Sequence, residues 1–147
     1  MKNKGFTLIE MMIVVAIIAV LVGISLPSLL GNRRTANQQA ALAEIRTIGT
    51  AAEGYFIAND QYPTTNFFST LHANGYLPSR YNVTTASILK SGYNISIVGT
   101  PTTTTYTVRA TPQNSNLGTK CYRVTQGGTI ESTDYTGSSC GTTWSSI

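Results

Sequence analysis

Residues 1–30 read MKNKGFTLIEMMIVVAIIAVLVGISLPSLL, and the rest of the chain has to be understood from them. Between Phe6 and Leu30 there is one ionisable residue, Glu10, and the run from Met11 to Ile24 is unbroken by any polar side chain. About 20 apolar residues suffice to cross roughly 30 Å of hydrocarbon as a helix. Lys2 and Lys4 precede the run, which places that end in the cytoplasm and the polar bulk outside. A secretory signal peptide would be shorter and would end in a small-x-small cleavage site; Gly31-Asn32-Arg33-Arg34 offers none. A plain anchor leaves Glu10 unexplained, because a carboxylate costs about 2.5–3.5 kcal/mol at the bilayer centre and less near an end. Glu10 is therefore either a paired, functional group or an uninformative residue at the membrane edge.

Beyond this segment the composition changes. The chain has 147 residues, which suggests one domain. Only 11% are charged, against about 25% in an average globular chain, yet mean hydropathy is +0.02. Apolar residues are therefore segregated, and a single long apolar run argues against a multi-span protein. The net charge of +4 is weak support for nucleic-acid binding. Arg33–Arg34 is the one tight basic pair, and no basic run with interleaved aromatics occurs. Cys121 and Cys140 both lie in the Thr/Ser/Gly-rich half. They read as one disulfide in an oxidising compartment, the alternative being two unrelated buried thiols.

Thr35–Ala58 reads as an amphipathic continuation of the first helix, with Leu42, Ile45, Ile48, Ala52, Tyr55 and Phe56 on one face. Asn37, Glu44, Arg46, Thr50 and Glu53 fall largely off that stripe. One helix from Phe6 to Ala58 would span about 80 Å, so an apolar half must project into lipid or into other copies of itself. Pro27, with Gly23 and Gly31 beside it, marks Gly23–Gly31 as a place to kink or unwind. Residues 59–90 form a connection anchored by Phe67, Phe68, Leu71, Tyr76 and Leu77, with a short helix over Phe67–Ala73. Strands are expected at Tyr93–Val98, Tyr106–Ala110, Lys120–Thr125 and Thr129–Ser132, with Gly127–Gly128 as a hairpin turn. The fold class is α+β: a long N-terminal helix packed against a C-terminal antiparallel sheet.

Lys4-Gly5-Phe6-Thr7-Leu8-Ile9-Glu10, running into Met11-Met12-Ile13-Val14-Val15, closely resembles the class III leader of type IV prepilins and pseudopilins. The resemblance implies a leader of residues 1–5, cleaved between Gly5 and Phe6 by a prepilin peptidase that then methylates the Phe6 amine. It implies a membrane and filament-core helix over 6–30, a stem over 31–58, and a head over 59–147. Glu10 becomes the family's assembly glutamate, paired with the amine of a neighbouring subunit, and Pro27 matches its helix-disturbing proline. A Cys121–Cys140 bridge is similar to the C-terminal disulfide loop of many type IV pilins. The implied partners are copies of the chain in a helical filament, the peptidase, the assembly platform, minor pilins, and the inner membrane before assembly. The implied end location is an extracellular filament serving adhesion, motility or DNA uptake.

No nucleotide-binding, zinc-protease, hydrolase-elbow or CxxC motif occurs, and the few carboxylates are scattered, so no enzyme, cofactor or metal is expected. His72, the only histidine, reads as a surface or loop residue. The triplets at Asn82 and Asn94 are weak glycosylation signals in so Thr/Ser-rich a chain. Among functions, a pilus subunit leads. A pseudopilin of a type II secretion or competence system is the alternative. Major pseudopilins usually carry an acidic calcium loop and no disulfide, whereas after Lys90 this chain has only Glu131 and Asp134 as carboxylates and has the cysteine pair. A membrane-tethered binding or catalytic domain is third, with no constellation to support it.

Overall fold

The computed structural model describes the backbone of residues 5–147 and their side chains except at 25–28. Lys2 and Lys4 lie outside the described residues, as does the side chain of Pro27. The chain divides into two units, Met1–Arg33 and Arg34–Ile147.

Helix α1 runs Leu8–Asn59 and so belongs to both units. Its backbone stays helical through Gly23–Gly31, so the unwinding expected around Pro27 is absent from the single chain. A proline removes one donor from the ladder, and the remaining bonds carry the helix across. In the first unit the large apolar side chains of α1 are exposed from Leu8 to Ile24. An 18-residue window of mean hydropathy 2.8 is apolar and long enough to cross a membrane, and none of it is buried.

In the second unit α1 lies on a six-stranded antiparallel sheet, so the α+β architecture holds. The elements are α2 (Phe67–Ala73), a 3-10 turn (Ser79–Tyr81), β1 (Ser87–Lys90), β2 (Tyr93–Ile97), β3 (Thr107–Pro112), β4 (Lys120–Thr125), β5 (Ile130–Asp134) and β6 (Ser145–Ser146). Neighbours in sequence are neighbours in the sheet, in the order β1-β2-β3-β4-β5-β6. Gly127 and Gly128 both adopt positive φ in the turn between β4 and β5, a conformation that is cheap only for glycine.

The core is the helix stripe against one sheet face. Ile45, Ile48 and Ala52 meet Tyr93, Ile95, Val108, Ala110 and Val124, all fully buried. Gly49 lets the two layers approach, since a Cβ there would sit 2.9 Å from Val124 Cγ2. Phe67, Phe68, Leu71 and Leu77 close the same core from the connection.

Three expectations need correction. The strand expected from Tyr106 begins at Thr107 and runs to Pro112, because Tyr106 is a core plug whose hydroxyl donates to Glu53 at 3.2 Å. β1 and β6 escaped the sequence reading; they are the two edge strands, and β6 is only two residues long. Glu44, placed off the apolar stripe, is buried, because the 3-10 turn and β1 wrap that flank of α1 and bring cations to it.

Candidate functional site

The N-terminal unit presents the Gly5–Phe6 bond and the apolar helix. Gly5 and Phe6 precede α1 in non-helical backbone and are exposed. Among the described residues a Cβ at Gly5 would meet nothing within 4 Å, so packing against them does not require the glycine. From Phe6 to Ile24 every large apolar side chain is exposed, Phe6 at 78% and Leu8 at 78%.

Glu10 has a partner that the sequence reading did not count. Thr7 Oγ1 accepts from the Glu10 amide at 3.3 Å, while Glu10 Oε2 accepts from the Thr7 amide at 3.2 Å and from its hydroxyl at 3.0 Å. This is a capping box, in which an N-cap threonine and the glutamate three residues on satisfy each other's orphan amides. The carboxylate also faces the positive end of the helix dipole. The signal was legible as Thr-x-x-Glu ahead of an apolar run.

In the head, Cys121 on β4 and Cys140 in the tail are disulfide-bonded, with Cα atoms 5.9 Å apart. The bridge ties down the return segment that carries Trp144 and β6. Two acids of α1 organise the rest. Glu44 accepts from Lys90 Nζ and the Tyr81 hydroxyl in short contacts and from Arg80 Nη2 at 3.5 Å. Burial opposes its charge, but the donors from Lys90 and Tyr81 and the charges of Lys90 and Arg80 prevail and hold it below its ordinary value. Burial, helped by Glu44, pushes the Tyr81 phenol up to about 12. Glu53 accepts from Tyr62 at 3.0 Å, Tyr106 at 3.2 Å and the Gly128 amide at 3.1 Å, pinning the β4–β5 turn to the helix.

His72, read as a surface or loop residue, sits in the last turn of α2, half-buried, with Nδ1 3.0 Å from the Leu77 carbonyl oxygen. Among the described residues no group of three acids, histidines or cysteines could hold a metal. Asn82 is exposed after the 3-10 turn and Asn94 is exposed on β2.

Comparison with known proteins agrees with both units. A family model described as "Prokaryotic N-terminal methylation motif" matches residues 1–26. A second, described as "Type IV minor pilin ComP, DNA uptake sequence receptor", matches residues 27–125. "Type II secretion system core protein G" of Escherichia coli (strain K12) is 43% identical over 65 residues, covering 44% of this chain and 45% of that protein. The protein of the same name from Vibrio cholerae serotype O1 is also 43% identical over 65 residues, with 44% of each chain covered. "Type IV major pilin protein PilA" of Myxococcus xanthus (strain DK1622) is 34% identical over 95 residues, covering 65% of this chain and 38% of that protein. The matched stretch spans less than half the length of each of these relatives. No solved structure matches the chain. With a methylation motif on the N-terminal helix, a pilin family model across about two-thirds of the residues, and a sheet packed on that helix, the chain belongs to the type IV pilin family.

Proposed function

We propose that the chain is a structural subunit of a type IV pilus. Prepilin peptidase cuts between Gly5 and Phe6 and methylates Phe6. The single-pass precursor waits in the inner membrane, and an assembly platform polymerises it, with minor pilins, into a surface filament. The observation that carries this reading is the helix of the first unit, apolar on all sides and uncovered by the chain's own fold. An exposed apolar surface of that extent needs lipid before assembly and neighbouring copies after it. On this reading residues 1–5 are the leader, 6–30 the filament core, 31–58 the stem and 59–147 the head. Glu10 and Pro27 act in assembly.

Mass spectrometry of sheared surface filaments tests this. The expected dominant species starts at N-methylated Phe6 and lacks two hydrogens at the cysteine pair. A chain that matures but never reaches a sheared filament would instead be a pseudopilin, the reading that the secretion-protein relatives favour. The disulfide supports the pilus. Within the pilus reading, DNA is the ligand we assign to the head, on the strength of the DNA-receptor description of the family model that matches residues 27–125.

A further inference from the structure

The sheet has a second face, away from α1, and its register builds a row across it. Ser96 on β2 pairs with Arg109 on β3, Arg109 with Arg123 on β4, Arg123 with Glu131 on β5, and Glu131 with Ser146 on β6. Their chain neighbours Ile95, Val108, Ala110, Tyr122 and Val124 are buried toward the helix. By strand alternation the row faces outward. The linear sequence holds no basic run, and Arg109 and Arg123 are far enough apart to look unrelated. Pairing of β3 with β4 sets them directly opposite each other.

Like charges directly opposed across strands are destabilising, and this pair is only half compensated. Arg123 Nε donates to Glu131 Oε2 at 2.6 Å. Arg109 has no acid partner among the described residues, and its Nε is buried with no acceptor at all. The tail, held by the Cys121–Cys140 bond, lays the Trp144 ring over the Arg123 guanidinium, 4.3 Å from Cζ to the ring centroid. The one carboxylate of the row, Glu131, is engaged by Arg123, which leaves Arg109 as the cation without an anion among the described residues.

The geometry points to a phosphate site: we propose that Arg109 and Arg123, with Trp144 beside them, hold a backbone phosphate of duplex DNA on the outer face of the sheet. A guanidinium fork fits phosphate oxygens in pairs, and the Ser96 and Ser146 hydroxyls at the ends of the row are further phosphate donors. This assignment rests on the DNA-receptor reading of the head.

Trp144 is the only tryptophan, so its emission reports on the site directly. The full chain in detergent micelles is titrated with a short mixed-sequence duplex, by anisotropy of the labelled DNA and by Trp144 emission, over a series of salt concentrations. Wild type binds saturably with a change in Trp144 emission. Arg109→Gln binds several-fold more weakly at low salt, and its slope of log K against log salt is shallower by about 0.9, the loss of one phosphate contact. Arg109→Lys keeps the wild-type slope but loses the fork, so its affinity falls between the two. It carries the test if Arg109→Gln does not fold. Wild-type affinity and slope in Arg109→Gln, or Trp144 emission that DNA binding leaves unmoved, overturn this site while the head remains a DNA receptor through another surface. No duplex binding by the wild type removes the DNA reading and this site together. A Trp144 response to heparin without one to the duplex assigns the row to an acidic polysaccharide and overturns the DNA claim.

Discussion

Replacing Glu44 by alanine tests whether the head depends on a buried carboxylate that the helical pattern alone places at the surface. Glu44 is 8% exposed and holds Tyr81, Lys90 and Arg80. Removing it strands the hydroxyl of Tyr81, a residue only 1% exposed, at a cost of about 1–3 kcal/mol for a buried unsatisfied group. Lys90 is left without its counter-ion. Breaking a fully buried pair costs about 3–5 kcal/mol, but the Lys90 side chain is 35% exposed and recovers much of that from water. About 3 kcal/mol in total is expected, near 10 °C in melting temperature for a domain of this size. Glu44→Gln keeps the shape and one acceptor, so its loss is smaller. Because the folded-state value of Glu44 is depressed, its contribution is complete above the ordinary value of 4.5 and is lost as pH falls through the lower folded value. Thermal melts followed by near-ultraviolet circular dichroism of the tyrosines, at neutral pH and at pH steps below 4.5, measure both effects. Equal melting of wild type and Glu44→Ala at neutral pH, or a gap between them that widens with acid, would refute the network as a source of stability.

Gly5→Val should block leader removal, since a branched side chain replaces hydrogen beside the scissile bond; immunoblots of membrane fractions should show the precursor accumulating, and processing at the wild-type rate would sink the cleavage assignment. Glu10→Ala should leave membrane levels unharmed and abolish surface filaments counted by electron microscopy, whereas Thr7→Val, which removes only the capping hydroxyl and about 1 kcal/mol of helix start, should retain a reduced number. Cys140→Ser should lower head stability by about 3 kcal/mol, the loop-closure value for a bridge across 19 residues, without changing membrane insertion; an unchanged melting curve would contradict it. Gly118→Ala should be more damaging than its size suggests, because the new Cβ would fall 2.0 Å from the Tyr93 hydroxyl oxygen, on a side chain that is wholly buried; a melting temperature within experimental error of wild type would show that the loop simply moves aside.

The parts of the fold that were legible are those whose signal is local. Lys120–Thr125 alternates, ends at Gly127–Gly128, and forms β4 with the residues expected. Ile45, Ile48 and Ala52 announce the buried stripe by spacing alone. The illegible parts are those whose partners lie far along the chain. Nothing within a helical turn of Glu44 indicates that Tyr81 and Lys90 will reach it, and the same holds for Glu53 with Tyr62, Tyr106 and Gly128. β6 is two residues of serine, which no pattern separates from coil; it pairs because the disulfide and the turn at Tyr135–Cys140 return the tail to β5. Glu10 is a different case. Its Thr7 partner stands three residues away, but a carboxylate beside an apolar run reads as a membrane charge until the helix start at Leu8 is fixed.

That capping box changes what Glu10 has to do. A lone carboxylate near hydrocarbon would have to be matched at once by a cation. A carboxylate already accepting two hydrogen bonds from Thr7 can sit at the start of α1 in an unassembled subunit at much lower cost, because hydrogen-bonded polar groups tolerate low dielectric where bare ones do not. On the proposed processing, the Phe6 amine exists only after cleavage, so a precursor would have the cap and no such cation to pair with. On the same reading, cleavage would add a charge one residue before Thr7, for a neighbouring Glu10 to meet once subunits align. On the assembly reading, the intrachain bonds make the waiting state stable and the interchain pair makes the assembled state more so. The contrast between Thr7→Val and Glu10→Ala separates the two: loss of the hydroxyl loosens the cap and leaves the carboxylate for the interchain pair, whereas loss of the carboxylate removes that pair.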